Sequence, residues 1–191
     1  MATEKKETLI IIGPVRLSYA KIWEPGSFEN DTSGKKKYGA ALLFPKSDTA
    51  TKKKVEDAIA IAKAEGVKKG LFDAKAKIEM PLKDGDDKGE KNPEYAGHWY
   101  LNAKSDRRPG VVDKNNEEII DKEEIYSGVY VKSQISFYPF NKIAKGVGVS
   151  LENIKKVKDG EPLSGGMSAQ DAFADDVDMG EEIDETDDLL G

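Results

Sequence analysis

YSGVYVKSQISFYPFNK, residues 126–142, holds five aromatic rings and two lysines in seventeen positions, in a chain whose overall aromatic content is 8%. Side chains alternate between the two faces of a strand. The odd positions, Ser127, Val129, Val131, Ser133, Ile135, Phe137 and Pro139, therefore form a half-buried apolar face. The even positions place Tyr126, Tyr130, Tyr138 and Phe140 beside Lys132 and Lys142 on the opposite face. That second face is either another packing surface or a platform for something flat and negatively charged.

Working outward, 96–105 repeats the division. Gly97, Trp99, Leu101 and Ala103 share one parity; His98, Tyr100, Asn102 and Lys104 share the other, and Arg107 and Arg108 follow. Residues 8–23 read as a strand interrupted at Gly13-Pro14, where a bulge or an edge is expected, with Leu9, Ile11, Val15, Leu17, Tyr19 and Trp23 in phase. YGAALLFP (38–45) reads as a strand, and 145–151 as another with Val147, Val149 and Leu151 in phase. Between them the period changes: Val55, Ala58, Ile59 and Ala62 make one face of a helix over about 50–66, capped by Asp48 or Thr49 and stopped at Gly66. Residues 115–125 fit a hairpin or a short helix. Several strands and one helix predict a mainly β fold, a small barrel or sandwich.

Composition narrows the function classes. The chain has no cysteine and one histidine, His98, which removes disulfides, thiolate metal sites and most histidine-based catalysis. No stretch is long enough to span a membrane and no leader opens the sequence, so the expected location is the cytoplasm. No phosphate-binding glycine loop occurs. DGDDKGE (84–90) lacks the spacing of a calcium loop and reads as solvated. Neither an enzyme nor a cofactor is expected. The net charge of −6 conceals two unlike parts: residues 169–191 carry ten acids and no base, leaving 26 acids and 30 bases, +4, in residues 1–168. The expected organisation is a basic domain over 1–168 and an acidic, disordered tail over 169–191. Lys52, Lys53 and Lys54 near the helix start read as a solvated face, with phosphate contact as the alternative.

Rings, hydrogen-bonding groups and cations on one surface are what a single strand of nucleic acid requires, because bases stack on aromatic faces while cations follow the phosphates. The same rings also fit packing under loops or against a partner subunit. On the first reading, Lys104, Arg107, Arg108, Lys132 and Lys142 capture the strand, and Lys35, Lys36 and Lys37 contact it from a loop. Tyr100, Tyr126, Tyr130, Tyr138 and Phe140 then stack, with Trp23, Trp99 and Phe137 assigned to the core. A tethered polyanion can compete for such a surface. In the tail, Asp175, Asp176, Glu181, Glu182, Asp187 and Asp188 supply charge, and Phe173, Ile183, Leu189 and Leu190 supply apolar anchors for a partner.

The segments GPVRLSYAKIWEP (13–25), KKYGAALLFPKSD (36–48), VEDAIAIAKAEG (55–66), PLKDGD (81–86), YAGHWYLNAKSDRRPGVVD (95–113), YSGVYVKSQISFYPF (126–140) and GVGVSLENIKKVKDGEPLSGG (146–166) appear in an order that resembles bacteriophage single-stranded DNA-binding proteins. These have an OB-fold barrel and an acidic C-terminal tail. The resemblance implies an OB-type barrel that coats single-stranded DNA during replication or recombination, without strong sequence preference. It also implies a tail that recruits replication proteins. Some related proteins end in an aromatic residue, whereas this chain ends Leu189-Leu190-Gly191. A metal-dependent phage nuclease and a virion or adaptor protein are the alternatives, and self-association is left open.

Overall fold

The computed structural model describes residues 7–28 and 33–163, and the tail positions Phe173, Asp175, Asp176, Glu181, Glu182, Ile183, Asp187, Asp188, Leu189 and Leu190 lie outside them. Seven strands, β1 (Leu9–Gly26), β2 (Lys37–Pro45), β3 (Leu82–Asp84), β4 (His98–Ser105), β5 (Gly110–Val112), β6 (Tyr130–Asn141) and β7 (Lys145–Lys158), and one helix, α1 (Thr49–Lys68), follow in the order β1-β2-α1-β3-β4-β5-β6-β7. β6 pairs antiparallel with β1 on one side and β7 on the other. β1 continues to β2 and β2 to β4, and a parallel contact between Lys104 and Ser150 joins β4 to β7. Five strands thus close into a barrel of the expected OB type, with β3 added beside β4 and β5 beside β7.

Val131, Ser133, Ile135 and Phe137 of β6 are buried, as alternation requires, while Pro139 further along the same face is half-buried. Val131, Ile135 and Phe137 join Leu17 of β1, Leu42 and Phe44 of β2, Leu101 and Ala103 of β4, and Val149 and Leu151 of β7 in one continuous core. The helix stripe Val55, Ala58, Ile59 and Ala62 joins the same core. Asp48 caps α1 by accepting from the Thr51 amide. The helix does not stop at Gly66. It runs two residues further, because Gly66 is an interior packing position: a Cβ there would lie 2.4 Å from Phe72 and 2.8 Å from Pro139. The chain turns instead at Gly70, whose φ of +72° suits glycine.

Simple parity fails in β1. The register with β6 shifts between Ile12 and Val15, one extra residue that moves the inward set from even to odd numbers. Ile12, Val15 and Leu17 are buried, while Leu9 and Ile11, expected inside, are exposed. A second shift against β2, between Ser18 and Lys21, turns Tyr19 outward and Ile22 inward. β7 contains a similar step at Glu152, so that Leu151 and Ile154 both face the core. Residues 115–125 contain both expected features in miniature: a Val112–Glu118 bridge and a short 3₁₀ turn at Lys122–Glu124.

Candidate nucleic-acid interface

The outward residues of β6 do not share one surface. Tyr130 and Tyr138 are eight residues apart, about 27 Å along a strand. At the Tyr138 end a groove of about 1170 Å³ opens beside the β4–β7 closure. Its rings are Tyr138 and Phe140, with centroids 6.5 Å apart and planes inclined by 54°. Tyr138 is 45% exposed. Opposite it in the register stands Gly148, and the hydroxyl end of the ring lies directly over this glycine. A single Cβ on Gly148 would sit 2.5 Å from Tyr138 Cζ, so the missing side chain makes the seat for the ring. Burial pushes the Tyr138 hydroxyl pKa up, and the nearby Asp106 carboxylate adds to the rise.

Five cations line this groove: Lys37 from the start of β2, Lys83 from β3, Lys104 from β4, Arg107 after it, and Lys142 from the β6–β7 turn. Glu79, Asp106 and Glu152 are the acids among its lining residues, so positive charge prevails. Asn102, Ser136 and Ser150 supply polar groups along the floor, and the Ser136 hydroxyl donates to Glu152 at 2.9 Å. Lys104 also lies 4.8 Å from the Phe28 ring centroid. Of the residues singled out by parity and charge, Lys37, Lys104, Arg107, Tyr138, Phe140 and Lys142 come together here.

The others go elsewhere, each for a physical reason. Tyr100 does face outward from β4, but residues 85–95 fold over it, and it is 5% exposed in a small second core with Ala41, Leu43 and Tyr95. Its ring meets Tyr95 edge to face, centroids 5.0 Å apart. It offers no open face for stacking and is withdrawn from the site. Tyr126 precedes β6 and packs against the main core. Its hydroxyl bonds with Asp159 and with the Gly160 backbone, tying the segment after β7 to the barrel; it too is withdrawn. Tyr130 is approached by Arg16 at 5.6 Å and Lys158 at 4.7 Å, cations of the protein itself. Lys132 is exposed on the same distant part of β6. Arg108 lies over Trp23 at 4.9 Å, outside the groove. Lys35 and Lys36 are exposed on the approach to Lys37.

Trp23 and Trp99 are only partly buried at the edge of the core, whereas Phe137 is fully inside. Lys46 and Lys52 lie 4.9 and 4.8 Å from the Trp99 centroid. On α1, Lys52 pairs with Glu56, Lys53 with Asp57, and Lys54 donates to the Ile11 carbonyl, so local contacts engage this run. Sequence reading placed Asn102 on the outward polar face of β4 but missed Lys83 and Met80. PLKDGD appears too hydrophilic for a strand, yet Leu82–Asp84 pairs with Trp99–Leu101 and carries Lys83 into the groove. Two acids of that stretch are braces. Asp84 and Asp86 both hold the Lys46 ammonium, at 2.7 and 2.5 Å, and Asp86 also accepts from the Gly97 amide. These bonds hold both carboxyl pKa values below the ordinary range. Among the described residues no three histidine or acidic side chains converge on a point, and no helix is long and apolar enough to cross a membrane.

Barrel, packed helix and cationic ring-bearing groove together define an OB-type binding module. A family model described as "Enterobacter phage Enc34, ssDNA-binding protein" matches residues 8–190, and the chain belongs to this family of bacteriophage proteins. A curated relative, putative protein p50 of Acyrthosiphon pisum secondary endosymbiont phage 1, is 33% identical over 183 residues, 91% of this chain and 96% of its own. The solved single-stranded DNA-binding protein of bacteriophage Enc34 in complex with single-stranded DNA is 31% identical. It superposes with a TM-score of 0.72 over 83% of this chain and 91% of its own. Bacteriophage T7 gp2.5, a single-stranded DNA-binding protein, shares the fold at 18% identity and TM-score 0.60, covering 88% of this chain and 99% of its own.

Proposed function

We propose that the chain binds single-stranded DNA in the groove between β4, β6 and β7, and coats exposed strands during phage DNA replication or recombination. The observation that carries this reading is the convergence of Tyr138 and Phe140 with Lys37, Lys83, Lys104, Arg107 and Lys142 on one open surface. Bases stack on the rings while the cations follow the phosphates, a combination that tolerates any sequence. A duplex keeps its bases stacked internally and offers the groove only charge. No reacting group is required by this chemistry, and the protein acts as a binding module.

The acidic tail, residues 169–191, completes the mechanism as a tethered competitor. Ten negative charges on the same chain reach the groove at an effective concentration in the millimolar range. A weak polyanion is excluded, and a single strand that adds stacking to charge displaces the tail. The freed tail then docks replication proteins through Phe173, Ile183, Leu189 and Leu190.

A mobility-shift assay at low salt, with single- and double-stranded competitors, tests the binding. Preference for the single strand is expected, and deletion of 169–191 is expected to tighten binding and weaken discrimination against the duplex. Absence of a shift would refute the reading in favour of an adaptor that uses its rings for protein contacts. Strand cleavage with Mg²⁺ or Mn²⁺ would favour a nuclease.

A further inference from the structure

The main groove ends at Tyr138, but the surface does not become flat there. A second cleft of about 500 Å³ lies on the other side of that ring, between the end of α1 and the β1–β6–β7 face. Ser136, Tyr138 and Glu152 line both spaces. A strand stacked on Tyr138 therefore has a continuous path from one to the other. We propose that this second cleft is a base-edge subsite that takes a nucleobase bearing an exocyclic amino group. The proposal rests on the groove being the DNA site.

Its chemistry differs from that of the groove. Lys69 is its one basic residue, set against Glu65 and Glu152, so it is poorly suited to a phosphate. Leu9, 42% exposed, supplies an apolar contact. Gln134 and Asn153 stand opposite each other in the β6–β7 register, and the Asn153 amide donates to Gln134 Oε1 at 2.7 Å. That bond holds both side chains in place and uses only part of their hydrogen-bonding capacity, since each amide has two N–H donors and an acceptor oxygen. Carboxylates accept and do not donate. The cleft is thus rich in acceptors, with an amide pair to complete a base edge.

Cytosine and adenine each present an amino group beside a ring-nitrogen acceptor, and guanine presents an amino group beside a ring N–H. Thymine has carbonyl oxygens where the others have amino groups. Where the amino group meets Glu65 or Glu152, a thymine oxygen meets a carboxylate instead, while the donors of the cleft, the Lys69 ammonium and the remaining amide N–H groups of Gln134 and Asn153, serve the ring acceptor beside the amino group. An otherwise permissive protein then acquires a weak preference at one position of the bound strand, against thymine.

The test uses the full chain and a fluorescent dT oligonucleotide of about 14 nucleotides, in the range a single OB barrel covers, with one dC moved along its length. At a single position dC is expected to bind about fivefold tighter than dT, the effect of one net hydrogen bond. Glu65→Gln and the double variant Gln134→Leu/Asn153→Leu are each expected to lose the preference while binding all-dT as tightly as the unaltered chain. The Glu65 change is isosteric on a helix surface, so it reports even where the double variant fails to fold. A flat scan with strong all-dT binding refutes the subsite alone, as does a preference that survives both variants. Failure of every oligonucleotide to bind refutes the groove reading as well.

Discussion

Gly148→Ala adds one methyl group, and the structure says where it goes. The new Cβ lies 2.5 Å from Tyr138 Cζ and 2.6 Å from the hydroxyl oxygen, well inside contact distance, so the ring must leave its seat. Gly148 sits in β7 and is not among the glycines with positive φ. An alanine therefore fits the backbone, and the change displaces the ring without unfolding the barrel. Stacking on one aromatic side chain is worth about 1–3 kcal/mol, which is about five- to 150-fold in Kd. Gly148→Ala is expected to lose a large part of that, and Tyr138→Ala all of it. The decisive measurement is the double variant. If the methyl acts only through the ring, Gly148→Ala adds nothing to Tyr138→Ala, and the two effects fail to sum by the full value of the first. Fluorescence anisotropy with a dT oligonucleotide gives the four affinities, and thermal melts check the folds. Unchanged affinity in Gly148→Ala, or strictly additive losses, would refute the assignment of Tyr138 as a stacking ring seated by Gly148.

Salt provides an independent measure of the five groove cations: neutralising five phosphates gives a log Kobs against log salt slope of about −3.5. Replacing Lys83 and Lys104 by alanine should flatten it by about 1.4; an unaltered slope would remove them from the path. Tyr100→Ala is expected to act on stability, by about 3–5 kcal/mol as for other buried rings, while the folded protein keeps its DNA affinity. Loss of affinity without destabilisation would restore Tyr100 to the site. Lys46→Met should expose a pH dependence. Asp84 and Asp86 have folded pKa values depressed chiefly by Lys46, so their stabilisation is present above about pH 4 and is lost as pH falls through the folded values. The stability difference between the unaltered chain and Lys46→Met is therefore expected to shrink below about pH 4; a difference that grows there would contradict the brace.

Alternation in β6 was legible because the strand runs unbroken between two antiparallel partners, and the helix stripe was legible because its period contrasts with the strands around it. In β1 Gly13-Pro14 marked the interruption where the register shifts, but not its consequence for parity: Ile11 and Val15 are in phase by number, yet one is exposed and the other buried. Burial of Tyr100 was hidden for a different reason. Alternation assigns a side chain to a face of the sheet and says nothing about what covers that face, here Tyr95 from a loop several residues earlier. Lys83 shows the converse, a groove residue concealed because a three-residue strand in DGD-rich sequence has no apolar period to reveal it.

The outward rings of β4 and β6 thus meet three environments, and the barrel explains how. A closed barrel has a single interior but an outer surface that differs around its circumference. The part around Tyr100 is sealed by residues 85–95, and the part around Tyr130 is filled by the protein's own Arg16 and Lys158. Near the β4–β7 closure Tyr138 and Phe140 remain accessible beside several cations, because Gly148 lets a ring lie close to the sheet and the short β3 brings Lys83 alongside. The rings of 126–142 owe their different roles to this unequal covering more than to their own identities. The same logic locates the base-edge cleft: it lies where the cover formed by α1 ends, one ring away from the groove.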